Sequence, residues 1–189
     1  MEYQFPYAWP AGEIARCAGE AGVEIVLHNL PAGDFAKGDR GIACLPGRER
    51  EFRDGVERAI DYAKAAGCPR LNCLAGLAPA GREHFAVLVD NVRFAARKLG
   101  AAGLSLTLEP INTRTVPGFF LSRSAQAIDV LNAACSPASA TCSSPTCPGA
   151  TSRAAARSTS SSCCAASTPS GTRAGWDANT IPGVIRSKA

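Results

Sequence analysis

Between Ala134 and Gly175 the chain runs for 42 residues without one Leu, Ile, Val, Phe, Tyr, Trp or Met; every position is Ser, Thr, Ala, Cys, Pro, Gly or Arg. Such a segment has almost no large apolar side chain to bury, so nothing offsets the entropy of ordering its backbone. It is expected to be a disordered, low-complexity tail over residues 134–189, and whatever folds must be built from residues 1–133. Charge divides at the same place. The first 133 residues carry 15 acids and 15 bases, whereas the tail carries one acid, Asp177, and five bases, so the formal net charge of +4 belongs to the tail. Its Arg153, Arg157 and Arg173 are scattered, with no aromatic residue among them, which is no nucleic-acid signature.

Cysteine usage points to a compartment. Cys17, Cys44, Cys68 and Cys73 lie before the break, and Cys135, Cys142, Cys147, Cys163 and Cys164 after it. An odd number of cysteines and no secretory leader after Met1-Glu2 disfavour a disulfide framework, and a cytoplasmic protein is expected. The tail cysteines lack the paired C-x2-4-C spacing of a zinc site and have no histidine near them. No apolar run approaches the ~20 residues of a membrane span, so no membrane partner is expected.

Periodicity organises the first 133 residues. Glu2 to Tyr7, short and aromatic, and Val23 to Leu30, Arg70 to Ala75 and Leu104 to Ile111, short and rich in apolar residues, are expected as strands. Gly12 to Ala21 reads as a helix closed by Gly22. Glu49 to Ala66 places Phe52, Val56, Ala59, Ile60 and Ala63 at spacings of three and four and stops at Gly67. Arg82 to Leu99 does the same with Phe85, Leu88, Val92, Ala95, Ala96 and Leu99, and Ser124 to Ala133 is expected to turn Ala125, Ile128 and Leu131 inward. The order β-α-β-α-β-α-β-α implies a parallel sheet crossed by helices. Four such units are half of an eight-unit barrel or most of a small open sheet. No G-x-G-x-x-G or P-loop pattern occurs, so no nucleotide cofactor is expected.

In a parallel barrel, chemistry gathers where the strands end. The polar residues at those positions are His28 and Asn29, Asn72, and Glu109 with Asn112. A carboxylate directly after the apolar run LSLTL is costly to bury unpaired, so Glu109 is expected to be solvated, ion-paired, or engaged by a metal or substrate. A plain salt bridge would explain it. A hydrogen-bonded core role would equally explain His28, and loop-turn roles would explain Asn72 and Asn112.

Three strings carry more than periodicity: HNLPAGDFAKGDRGIACLPGRE at 28–49, LNCLAG at 71–76 and LTLEPINTRTVPGFFL at 106–121. They closely resemble the hydroxypyruvate isomerase family, a branch of the xylose-isomerase-like TIM barrels, over residues 2 to about 133. The resemblance implies a (β/α)8 barrel, here about four βα units. It also implies interconversion of hydroxypyruvate and tartronate semialdehyde through an enediol, with a small hydroxy-keto acid as substrate. By the same resemblance Glu109 matches a catalytic glutamate that also ligands a divalent metal, Mg or Mn. His28 and Asn112 would line the mouth, and Arg40 or Arg48, with Arg48 preferred, would pair the substrate carboxylate.

The chain departs from that pattern at both ends. It opens on what resembles the family's second strand, and the likeness stops near residue 133, before the second catalytic glutamate and further metal-ligand positions. The tail's composition is that of an out-of-frame reading of GC-rich coding DNA. The expectation is a truncated partial barrel with impaired isomerase activity, marginal in stability or surviving as a homo-oligomer. The alternatives are a non-catalytic remnant and another sugar isomerase or epimerase of the same barrel group.

Overall fold

The computed structural model describes residues 1–136. The disordered, thiol-rich tail expected from the sequence therefore falls, beyond Ser136, outside the described residues. The last helix, expected to end at Ala133, continues through Ala134 to Cys135.

Four strands, β1 (Glu2–Tyr3), β2 (Leu27–Asn29), β3 (Arg70–Cys73) and β4 (Ser105–Leu108), form one sheet in the order β1-β2-β3-β4. All neighbours are parallel. Four helices alternate with them: α1 (Ala11–Glu20), α2 (Glu49–Ala66), α3 (Arg82–Ala101) and α4 (Ser124–Cys135). Each helix packs on the next in sequence, α1 on α2, α2 on α3 and α3 on α4. This is the βα-unit arrangement of a partial TIM barrel, four units long among the described residues.

Every strand is shorter than its apolar run. The Glu2 to Tyr7 segment pairs only at its start, because Pro6 opens a 3-10 turn over Pro6–Ala8. The helices follow the sequence more closely. The amphipathic stripe of α2 is buried at Phe52, Val56, Ala59, Ile60 and Ala63, and the helix ends at Gly67, whose φ of 71° is a left-handed cap. In α3, Leu88, Val92, Ala95 and Leu99 are buried as expected, but Phe85 is 36% exposed and Ala96 also faces outward.

Helix α4 corrects a second expectation. It buries Ala127 and Val130, while Ile128 is 57% and Leu131 43% exposed. The side it turns inward is the one that meets α3, and small residues fit that close approach. Arg93 of α3 fixes the rotation by donating to the carbonyls of Ala133 and Ala134 at α4's end.

Side chains alternate across the sheet. One face presents His28, Leu71 and Cys73 to the helices, where Leu71 and Cys73 are wholly buried in the apolar core. The opposite face presents Leu27, Asn29, Asn72 and Thr107, which line a cavity. Among the described residues no helix is long and apolar enough to cross a membrane.

Candidate functional site

Strand pairing assembles the polar face. Asn29 stands opposite Asn72 in the β2–β3 register, and Asn72 opposite Thr107 in the β3–β4 register, so three polar side chains lie abreast. Glu109 follows one residue beyond β4, on the same face as Thr107. Asn72 Nδ2 donates to Asn29 Oδ1 at 3.0 Å and to Glu109 Oε2 at 2.9 Å. Thr107 Oγ1 lies 3.2 Å from Asn72 Oδ1 and 3.3 Å from the Leu71 carbonyl, either of which can accept its proton. Glu109 is exposed, and among the described residues it forms no salt bridge. The ion-pair explanation of this carboxylate therefore gives way to a solvated one held by an amide.

The cavity beside Glu109 is lined by Gln4, Asn29, Arg40, Asn112 and the aromatic rings of Phe5 and Phe119, among others. One guanidinium, one carboxylate and neutral amides share a small polar space with apolar walls. A compact anion with several oxygens is the ligand class such walls suit. Arg40 is set in place by Nη1 donating to the carbonyls of Asp39 at 2.7 Å and Phe35 at 3.2 Å, and by its guanidinium stacking 3.8 Å above the Phe35 ring.

The loop that carries Arg40 is anchored from below. Asn91 Nδ2 donates to the Ala43 carbonyl, the His84 ring nitrogen Nδ1 bonds the Cys44 carbonyl, and the Cys44 amide donates to the Ala75 carbonyl. Gly41 crosses so close to β3's exit that a Cβ would collide with the Leu74 carbonyl, and its φ of 106° is itself a glycine conformation.

The site residues expected from the sequence fare differently. Glu109 and Asn112 line one cavity. Asn112 Oδ1 is occupied by the backbone amides of Arg114 and Thr115 and by the Thr115 hydroxyl, so its carbonyl shapes the loop. Arg48 is not brought to the cavity: Glu51 holds it bidentately at 2.8 Å and Asp39 takes its remaining arm at 2.8 Å. Those hydrogen bonds, Glu51's first, raise its pKa still further above the ordinary arginine value. Of the two arginines weighed, Arg40 faces the cavity.

His28 is also placed apart. It sits on the helix-facing side, 1% exposed, edge-on to the rings of Tyr7 and Tyr62. Its Nδ1 lies 3.1 Å from the Asn29 carbonyl, so that nitrogen carries the proton. Tyr7 donates to the same carbonyl at 2.6 Å. Burial holds the His28 pKa below its ordinary value, opposed by the hydrogen bond to Asn29. The alternation of β2 puts consecutive residues on opposite faces, which is why Asn29 reaches the cavity and His28 does not.

Sequence reasoning did not single out Gln4 or Thr107. Glu2 is a second carboxylate along the cavity, but it aligns with Leu27, one layer below Gln4 and away from the strand ends. The divalent metal implied by the family resemblance needs several hard oxygen or nitrogen donors around one point. Among the described residues no group of three or more His, Cys, Asp or Glu side chains is so placed, and Glu109's hydrogen-bonding neighbour is an amide. The described donors do not make that set by themselves.

Comparison with known proteins agrees with the fold. The family model for xylose isomerase-like TIM barrels matches residues 3–141. The chain is 47% identical to hydroxypyruvate isomerase of Escherichia coli (strain K12) over 135 residues, which is 70% of this chain and 52% of that protein. It is 41% identical to 2-oxo-tetronate isomerase of Cupriavidus necator over 126 residues, 65% of this chain and 48% of that protein. A crystal structure described as AP endonuclease, family 2, from Brucella melitensis superposes with a TM-score of 0.68 at 37% identity, covering 70% of this chain and 52% of that one. The chain thus spans about half the length of the curated relatives it matches.

Proposed function

Because the chain belongs to the xylose isomerase-like TIM-barrel family, we propose that it acts as an isomerase on a short hydroxy-keto acid, hydroxypyruvate being the first candidate. The observation that carries this reading is Glu109, a solvated carboxylate at the C-terminal end of a parallel strand, oriented by Asn72 and facing a cavity that also holds Arg40. Relatives named hydroxypyruvate isomerase and 2-oxo-tetronate isomerase support the reaction class.

The chemistry asks little more than a placed base. Glu109 takes a proton from C3 of hydroxypyruvate, the C–H electron pair becomes the C2–C3 double bond, and the carbonyl pair moves onto the C2 oxygen. A proton returns to C2 and the C3 hydroxyl proton passes to the C2 oxygen, so that C3 becomes the aldehyde and C2 the hydroxyl carbon of tartronate semialdehyde. Arg40 would hold the substrate carboxylate. With one carboxylate at the strand ends among the described residues, Glu109 must serve both transfers, and turnover is expected to be slow.

A second reading is a binding-only chain of the same fold. It is favoured by that single carboxylate and by the chain's matching about half of each relative. An assay in which an NADH-dependent reductase consumes tartronate semialdehyde separates the two. The isomerase reading predicts turnover above background that falls about 10²–10⁴-fold in Glu109→Gln. Equal rates in both chains, or none in either, favour the binding-only reading.

A further inference from the structure

The hydrogen bonds around Asn72 leave no freedom in how its amide, or its neighbour's, is turned. A carboxylate only accepts, so the Asn72 atom 2.9 Å from Glu109 Oε2 is the nitrogen. That nitrogen has two protons, and the second goes to Asn29 at 3.0 Å, so the Asn29 atom it meets is the carbonyl oxygen. The Asn29 amide nitrogen must then be on the other side of that side chain. Among the described residues it has no hydrogen-bond partner in the protein, although Asn29 as a whole is 6% exposed and lines the cavity it shares with Glu109. Thr107 lies against the Asn72 carbonyl oxygen from the far side, consistent with the same orientation.

We propose that Asn72 sets the polarity of the whole site: it aims Glu109 as a base and, through Asn29, aims an N–H donor into the same cavity, so that the pair recognises the oxygen and the adjacent C–H of an α-hydroxy carbonyl. Asn72 is a positioning residue. Asn29 is the substrate-binding one, donating to the oxygen on which negative charge grows as Glu109 removes the neighbouring proton. A donor aimed where charge develops contributes more to the transition state than to the ground state. The arrangement selects for substrates carrying an oxygen next to the acidic carbon, and against hydrocarbons or simple carboxylic acids that fill the same space. The kinetic part rests on the isomerase reading; the orientation of the two amides does not.

The sharpest variant is Asn29→Asp. It keeps the shape of the side chain and can still accept from Asn72, but it replaces the donor by an acceptor. With hydroxypyruvate, Asn29→Asp is expected to lose about 10²–10³-fold in kcat. Asn29→Leu should lose about as much, showing that the added charge is not the cause. Asn72→Leu should lose about 10²-fold in kcat with KM little changed, since a base displaced by about an ångström still leaves the substrate bound.

The second readout needs no turnover. In ¹⁵N–¹H spectra of the full chain, the Asn72 side-chain amide protons should shift in Glu109→Ala, and the Asn29 pair should shift when hydroxypyruvate is added. Both shifts without turnover in the wild-type chain would uphold the amide arrangement and overturn the isomerase reading. Turnover that survives Asn29→Asp within about twofold, well short of the loss of a transition-state donor, would overturn the proposal and leave the isomerase reading standing. An Asn29 pair that ignores hydroxypyruvate would overturn it as well.

Discussion

Asn72 has both amide protons committed, one to Asn29 and one to Glu109, and this small fact governs the chemistry available to the site. Glu109 could be singled out from sequence because a charge after LSLTL violates the pattern of a buried strand. Asn29 and Asn72 could be placed at strand ends but their hydrogen bonds to one another and to Glu109 could not, because they and Thr107 lie far apart in sequence and meet only through register. His28 shows the converse. Its neighbour Asn29 reaches the cavity, and a difference of one position put His28 on the other face. Its burial has a measurable consequence. Folding lowers its pKa, so the unfolded chain binds a proton that the folded chain refuses, and stability rises with pH through that window. Neutral His28 costs nothing above about pH 6.5, and stability is lost as the pH falls below it. Urea midpoints measured on either side of that pH should therefore drop more steeply in the wild-type chain than in His28→Phe, which keeps the ring contacts with Tyr7 and Tyr62. Parallel slopes would contradict this.

At the scale of elements, helices were more legible than strands. The α2 stripe and its Gly67 stop were readable residue by residue, because periodicity and a left-handed cap are local properties. Strand ends were not, since hydrogen bonding to a neighbour decides them; β2 pairs over Leu27–Asn29, while Val23 in the same apolar run is 42% exposed. In α4 the larger residues Ile128 and Leu131 suggested the wrong inward side, because a helix's own sequence does not say how closely its neighbour approaches. Two stability tests follow. Leu88→Ala in α3, at a fully buried position, should cost about 2–5 kcal/mol by urea denaturation. Gly41→Ala should cost on the order of 2–3 kcal/mol, combining a disfavoured φ with a backbone collision. Gly47→Ala, at a φ of 83° with open space around it, should lose less, only about 1–2 kcal/mol. Equal losses at the two glycines would show that the loop over the site is not packed as described.

At the scale of the molecule, four parallel strands leave the outer edges of β1 and β4 without a partner among the described residues. Ile128 and Leu131 add an apolar stripe on α4. Unpaired edges and exposed apolar surface favour association. Sedimentation velocity of the full chain should show mass rising above 19.5 kDa with concentration, and Ile128→Lys should weaken the effect. A monomer at every concentration would count against open edges. In the proposed reaction a carboxylate at the rim of this parallel sheet, Glu109, removes a proton beside a carbonyl. Proton NMR of hydroxypyruvate in D₂O tests it directly, because abstraction at C3 replaces hydrogen by deuterium even when net conversion is small. The C3 signal should fade faster with the wild-type chain than in buffer, and Glu109→Gln should return the rate to that of buffer. Exchange that is no faster than in buffer, or that persists undiminished in Glu109→Gln, would contradict it.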